Sequence, residues 1–433
     1  MNAGLRLGYR EQVAGPAVPE LDGVLSTSDS DLTAAAADFG NWIQHRPLAV
    51  LRPGSAADVA AIVRYGRQHG LAVVARGSGN SVGGQAQIRD GISVTMRSLA
   101  GIHRCGPDSI SVQAGATWSA VAAATLPKGL IPPVLPDFLE LTVGGTLSAG
   151  GIGGTSHRYG AQADNVRDLE VVTPDGELVS CSPTRNPDLF DAVRGTQGEH
   201  GIITRATLEL ILAPRAARRY LLRYRDFGTF LADQRLLIAD QRFDSLLGQA
   251  RHTGTGWEFV TEAVRTYRPP AQPDDRSLLD GLSHDRSAEH AETLGFRDFL
   301  HRLDPLVAEL RSTGSWQRQP HPRCNVLLPG RHASAIILGV LDASGPEDIG
   351  LGGSVLIYAI PTERLVAPNM PKARDPLTVV FGLQRTAPLG DLATLRWMRQ
   401  DNDALRAVAT LLGGVGYSEV TAYHKARRQG RRG

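Results

Sequence analysis

From about residue 48 to residue 214 the chain alternates two kinds of hydrophobic spacing. Ser55, followed three residues later by Asp58, is a capping-box pattern, and Val59, Ile62 and Val63 supply an apolar stripe, so a helix is predicted that ends near Gly70. The run LAVVAR (71–76) has no polar alternation and predicts a buried strand leading straight into RGSGNSVGGQ. Further on, DLEVVTPDGELVS (168–180) predicts a hairpin turned by Pro174, Asp175 and Gly176. After about Ala213 glycine thins out. There LVAELRSTG and LRWMRQDNDALRAVATLL have helical spacing, NVLLPG and GSVLIYAIP read as strands, and the polar, proline-containing stretch 268–276 reads as a surface loop. No repeat of fixed period is present. The pattern implies a mixed α+β architecture in two regions that meet near residue 213.

Composition refines this only a little. At 433 residues the chain has room for two or three domains, and 42% hydrophobic with 21% charged residues is ordinary for a globular protein. No apolar run approaches the roughly 18 residues of a membrane-spanning helix. The opening MNAGLRLGYREQ lacks the apolar core of a secretory leader. Cys105, Cys181 and Cys324 are too dispersed for a disulfide framework or a zinc site, which fits a reducing, cytoplasmic setting. The net charge of +2 comes from the last nine residues, KARRQGRRG, whose five positives outweigh a slightly acidic body. Such a tail can contact nucleic acid or membrane, but one short run is weak ground for either. It is read as a solvated end, with neither nucleic acid nor membrane expected as a partner.

Two glycine-rich segments carry candidate chemistry. In the first, residues 75–85, glycines at 77, 79, 83 and 84 with Ser78 and Ser81 directly follow a strand. Such a loop can turn sharply and aim backbone N–H groups at a phosphate. It is no P-loop, because no Gly-Lys-Ser/Thr follows, and no helix pattern opens at its third glycine as a Rossmann fingerprint requires. The second, TVGGTLSAGGIGGTSHRYG (142–160), has seven glycines in nineteen residues. Val143, Leu147 and Ile152 are interleaved with them, so the segment is expected to pack. Two such segments in one domain favour a phosphate-bearing cofactor lying across both.

Four ordered motifs make a specific resemblance: ADFGN (37–41), RGSGNSVGGQA (76–86), PDFLELTVGGTLSAGGIGG (136–154) and NPDLFDAVRGTQGEHGIITRA (186–206). Together they resemble the flavin-binding domain of the vanillyl-alcohol oxidase superfamily, and within it most closely the cytokinin dehydrogenases. The match is dense over about 37–213 and then thins, with YRDF (224–227), QPHP (319–322) and VLIY (355–358) as further landmarks. The resemblance implies a two-subdomain, PCMH-type FAD-binding domain followed by an α+β substrate domain built on an antiparallel sheet with flanking helices. The corresponding boundaries are 1–36 for an N-terminal extension, 37–212 for the FAD domain, 213–412 for the substrate domain and 413–433 for a truncated C-terminal segment with the basic tail. Family cofactor contacts fall on Ala75, Gly77, Ser78, Gly79, Ser81 and Gln85, on Asp137, Thr142, Ser148 and Ile152, and on Ile203. Where the family usually has a histidine bonded to the isoalloxazine, this chain has Asn80, whose carboxamide cannot form that bond, so a non-covalent FAD is expected. Arg323 stands in the substrate pocket where the family has a tryptophan. The family's C-terminal stretch, which returns to the FAD domain, is expected to have no counterpart.

Asp137, among the apolar residues of LPDFLEL, is the candidate base. Partial desolvation would raise its pKa toward a useful range, the bland alternative being a turn aspartate capping a backbone N–H. In the resembling enzymes the matching aspartate accepts the substrate amine proton as hydride leaves the adjacent carbon for flavin N5. Glu262, in EFVTEAV, matches the family glutamate that partners it. Two carboxylates sharing one proton would keep one of them ionised, whereas a solvated glutamate on a strand face would do nothing of the kind. His157 and His321 are read as structural. The implied activity is FAD-dependent oxidation of a C–N bond in a small molecule such as an N6-substituted adenine derivative, with the electron acceptor open. Oxidation of an alcohol or an anionic intermediate, and a non-catalytic flavin-binding role, are the competing readings.

Overall fold

The computed structural model describes residues 18–417. Val24–Ser26 (β1), Ala49–Arg52 (β2), Val73–Arg76 (β3) and Ile92–Thr95 (β4) form a sheet ordered β1-β2-β4-β3. The pairs β2/β4 and β3/β4 are parallel, and β1 is antiparallel at the edge. Residues 24–36, read from sequence as an extension, thus contribute a strand to this sheet. The crossover between β2 and β3 is the helix Ala56–Gln68, capped by the Ser55 hydroxyl, which accepts from the Asp58 N–H. The reciprocal half of the capping box is missing. The Asp58 carboxylate instead accepts from the N–H groups of Asp22, Gly23 and Gly54, fastening the segment before β1 to the helix start. The run 71–76 is a correction: only four residues form the strand, and they are half-buried because β3 has β4 alone as a neighbour.

A second, antiparallel sheet holds Ile102–Cys105 (β5), Ser109–Gln113 (β6), Val166–Val172 (β8), Leu178–Cys181 (β9) and Ile202–Glu209 (β10), in the order β5-β6-β10-β8-β9. The β8–β9 hairpin turns where predicted, with Gly176 at φ +81°. Leu130–Ile131 (β7) and Ile211–Leu212 (β11) make a short ribbon. Both sheets share one core, in which Leu51, Ile62, Val94, Ile110, Val112, Leu147 and Leu169 are fully enclosed. Each contributes about 1.5–3 kcal/mol relative to exposure.

The third sheet has eight strands: Ala216–Tyr224 (β12), Ser245–His252 (β13), Trp257–Tyr267 (β14), His290–Gly295 (β15), Cys324–Pro329 (β16), Ser354–Pro361 (β17), Leu377–Gln384 (β18) and Val415–Gly416 (β19). Every pairing is antiparallel, in the order β15-β12-β14-β13-β17-β18-β16-β19. Side chains alternate between two cores, as the period of two requires. Val326, Leu328, Ile357 and Ala359 face a second core beneath the helices Phe227–Asp240, Ala333–Asp342 and Leu392–Leu411. Leu327, Tyr358 and Ile360 face the other way, into the core shared with the first two sheets. One face of this sheet therefore lies on the domain built from the first two sheets, and any polar group on that face is held at the junction.

The expectation that the chain would not return to the first domain fails at residues 415–417. β19 pairs with β16, the Tyr417 N–H donates to the Asn325 carbonyl, and the Tyr417 hydroxyl accepts from the Gly151 N–H within the second glycine segment. The basic run 425–433 lies outside the described residues. Among those described, no helix is long and apolar enough to cross a membrane.

Candidate active site

The two glycine segments meet. A methyl group on Gly77 would come within 2.1 Å of the Thr142 hydroxyl oxygen, so the absent side chain is what lets the first loop lie against the second segment. The Ser78 hydroxyl reinforces the junction by donating to the Glu140 carbonyl at 2.6 Å. Ala75 lies in β3, immediately before the loop, and Gly79 has φ +69°. Asn80 is half-buried beside it. The Gln85 side chain folds back to accept from the Gly83 N–H. Asp38 of the ADFGN motif is the clasp: its carboxylate accepts from the Ser81 hydroxyl and from the N–H groups of Gly84 and Gly40. Burial raises its pKa, against the pull of those bonds.

The second segment is a helix at its start, not a loop. Val143–Ala149 turns with Val143 and Leu147 fully buried, and the Ser148 hydroxyl bonds back to the Gly144 carbonyl. This helix packs against β10, which carries the buried Ile203, and the Ser148 carbonyl accepts from the Gln197 N–H of the fourth motif. Ile152 is half-buried against the same core. The glycine-loop, helix and β10 residues named from the sequence thus gather around one seam.

The seam fits a polar nucleotide such as FAD. Along it lie buried polar atoms with no protein partner: Arg76 Nη1 beside the first loop, and both amide atoms of Gln162, Gln197 Nε2 and Glu199 Oε1 beside the second segment. Each such atom costs about 1–3 kcal/mol unless a ligand or water meets it. A methyl on Gly151 would strike Gln162 Oε1 at 2.2 Å, so bulk there would close the space.

Asp137 and Glu262 come together only through a third residue. Arg302 donates from Nη2 to Asp137 Oδ1 at 2.7 Å and from Nε to Glu262 Oε1 at 3.0 Å. Arg219 donates to Glu262 Oε2 at 2.7 Å and to Glu292 at 2.6 Å, so charges alternate along Asp137, Arg302, Glu262, Arg219 and Glu292. The expected carboxylate pair sharing a proton is therefore corrected to two carboxylates bridged by a guanidinium. Burial pushes the Glu262 pKa up, but Arg302 and Arg219 more than offset it and hold the carboxyl below its ordinary range. Burial likewise opposes the Arg302 charge, and Asp137 and Glu262 outweigh it, so the guanidinium stays protonated. Asp137 keeps 38% of its side chain exposed, and Arg302 occupies only its Oδ1. Tyr358 borders the group, its hydroxyl pKa raised by burial and by the Asp137 charge.

Both histidines are structural. His157 sits between the carbonyls of Gly154 and Phe243 and ties the second glycine segment to the turn that leads into β13. His321 Nε2 faces the Trp316 carbonyl, so it carries the proton, while Nδ1 accepts from the Thr386 hydroxyl. Burial, then the neighbouring Arg323, lowers its pKa to about 4. Arg323 lies over the Phe39 ring, 4.6 Å from its centroid.

Sequence reasoning missed Arg302, Arg219, Tyr358 and Gln162. Arg302 sits in HRLDP, a stretch without local pattern, and meets Asp137 from 165 positions away. Asp38 lies inside the ADFGN motif, but its carboxylate reaches Ser81 and Gly84 across 43 and 46 positions, and only the neighbouring Gly40 gives a local signal.

A family model described as an FAD binding domain matches residues 47–182, and one described as cytokinin dehydrogenase 1, FAD and cytokinin binding, matches residues 259–370. The uncharacterized oxidoreductase ORF5 in the fasciation locus of Rhodococcoides fascians is 38% identical, over 92% of this chain and 90% of its own. Cytokinin dehydrogenase 9 of Oryza sativa subsp. japonica is 36% identical over 71% of this chain and 66% of its own. Cytokinin dehydrogenase 3 of Arabidopsis thaliana is 34% identical over 78% and 72%.

Proposed function

The chain belongs to the cytokinin dehydrogenase family of FAD-dependent oxidoreductases, and from that premise we propose that it oxidises a secondary amine to an imine at Asp137, using a non-covalently held FAD. The observation that carries this reading is the Asp137–Arg302–Glu262 bridge at the junction of the two domains.

FAD, when bound, supplies the two-electron oxidant that takes hydride from the carbon next to the amine nitrogen. The residues of this chain handle the proton and the position. Arg302 holds one carboxylate oxygen of Asp137, leaving Oδ2 to accept the N–H proton from the substrate. Glu262, buried and bonded to two guanidiniums, is not the base in this scheme. It fixes Arg302, and so acts as a positioning residue. The N–H and C–H bonds break, the C=N bond forms, and water then cleaves the imine to an amine and an aldehyde. The named cofactor contacts, Ala75 through Gln85, Asp137, Thr142, Ser148, Ile152 and Ile203, would hold the nucleotide along the glycine seam.

Two measurements test the reading. The FAD-loaded protein incubated with N6-isopentenyladenine and an artificial electron acceptor is expected to yield adenine and the corresponding aldehyde. Formation of an oxidised side chain with the C–N bond intact would instead favour alcohol-type chemistry. Acid precipitation is expected to leave yellow flavin in the supernatant, because Asn80 offers no imidazole to bond it. Flavin that stays with the denatured polypeptide would contradict that assignment.

A further inference from the structure

Arg323 is a cation without an anion. Side chains along β16 alternate, with Val326 and Leu328 in the helix-covered core and Leu327 in the core shared with the flavin-side domain. The same period puts Asn325 on the flavin-side face, which Glu262 also shares through its alternation with Ala263 and Val264; Arg323, the residue just before β16, lies on that side against Phe39. The backbone is pinned there: the His321 N–H donates to the Gly40 carbonyl and the Arg323 N–H to the His321 carbonyl. The guanidinium lies on the Phe39 ring, which also stacks on the neutral imidazole of His321 at 4.3 Å and meets the Trp316 ring, tilted, at 5.3 Å.

Nothing among the described residues neutralises it. No carboxylate pairs with Arg323, and its Nε is buried with no acceptor. The residue as a whole is half-buried, yet the guanidinium end lies deep enough that burial alone lowers its pKa to about 10, which leaves it charged near neutral pH. The acids on this face are engaged elsewhere, Glu262 with Arg219 and Arg302, and Glu258 with Arg223. Asp38 is taken by the first glycine loop. A buried, unpaired cation destabilises the free protein and is recovered only when an anion arrives.

We propose that Arg323 is a receptor for a phosphate group on the substrate, so that an N6-substituted adenine nucleotide is preferred over the free base; this rests on the amine-oxidation reading above. The sheet register supports the span. Tyr358, beside Asp137, pairs with Val380, which pairs with Leu327 on β16, four residues after Arg323. Two strand spacings across and four residues along come to roughly 16 Å between Cα atoms. A purine with its exocyclic nitrogen at Asp137 ends short of Arg323, and a phosphorylated ribose extends toward it. The planar guanidinium fork suits two phosphate oxygens at once.

The test uses the FAD-loaded full chain and N6-isopentenyladenine, its riboside and its 5′-monophosphate, with apparent Kd read from anaerobic flavin bleaching. The wild type is expected to bind the monophosphate roughly 10- to 100-fold more tightly than the riboside. Within Arg323→Gln that ratio should fall to about 1, and inorganic phosphate should compete with the monophosphate in the wild type only. Equal affinities in the wild type, or an undiminished ratio in Arg323→Gln, overturn the proposal. An undiminished ratio accompanied by loss of bound flavin would assign Arg323 to the cofactor instead. If none of the three compounds bleaches the flavin, the amine-oxidation reading has failed. Melting shifts then decide: a phosphate or AMP stabilisation lost in Arg323→Gln upholds the receptor, and no stabilisation of the wild type overturns it. Arg323→Met, which keeps the apolar stem but neither the charge nor the fork, repeats the test should the Gln variant misfold, and a ratio equal to wild type would again count against the proposal.

Discussion

Among single residues, Asp137 and the buried groups around it decide the proposed chemistry. Asp137→Asn keeps the shape and the Arg302 contact but removes the proton acceptor. Turnover of a verified amine substrate is expected to fall roughly 10²–10⁴-fold with the flavin spectrum unchanged. Parent-like turnover would make Asp137 a structural aspartate. Glu262→Gln tests the bridge: it leaves Arg219 and Arg302 as buried cations with one acid fewer, and is expected to cost about 3 kcal/mol or more in a denaturant titration. The position of Asp137 was legible because its motif is local. The bridge was not, since Arg302 and Arg219 reach Glu262 across 40 and 43 positions with no shared sequence pattern. His321 sets a pH dependence. Its folded pKa near 4 lies below the ordinary 6.5, so the unfolded chain takes up a proton first as pH falls. Its contribution is complete above pH 6.5 and is lost between 6.5 and about 4, by at most roughly 3 kcal/mol before solvent screening. Melting curves across that window should be flatter for His321→Gln than for the wild type, and identical slopes would contradict the assignment.

At the scale of elements, the contact between the first glycine loop and the helix Val143–Ala149 is the feature most open to manipulation. Gly77→Ala would drive a methyl into the Thr142 hydroxyl and separate the two segments, so the purified protein should carry less FAD. Thr142→Ala in the same chain removes the obstructing oxygen and is expected to restore part of the flavin content. A Gly77→Ala protein with full flavin would show that the segments need not touch. Sequence pattern located the helix Ala56–Gln68, the β8–β9 hairpin and the strands β16 and β17. It left open whether the second glycine segment was regular, because glycine disfavours helix by about 1 kcal/mol per residue and gives no positive signal for one. Tertiary burial of Val143 and Leu147 overrides that preference. It also gave no hint that β3 is an edge strand, since an apolar run reads alike whether one or two neighbours flank it.

At the scale of the whole molecule, the third sheet acts as a lid whose two faces have different tasks. One is sealed by helices over an apolar core. The other carries Glu262, Tyr358 and Arg323 onto the flavin-side domain, where Asp137 and the glycine seam wait. Neither domain holds the proposed chemistry alone, and Tyr417 fastens them by returning to Gly151. The boundary expected near residue 213 rests on the loss of glycine alone. The closure of the third sheet on the first two was not legible, because it depends on which face of each strand looks inward. On the proposed reading this junction oxidises amines with Asp137 as the base. The most direct measurement is anaerobic mixing of the FAD-loaded protein with N6-isopentenyladenine, followed in the visible flavin band, beside an allylic alcohol of the same side chain and beside the Asp137→Asn variant. Rapid bleaching by the amine, slow or none by the alcohol, and bleaching slowed in the variant are expected. Bleaching by the alcohol alone, or bleaching by the amine at the same rate in Asp137→Asn, would contradict that reading.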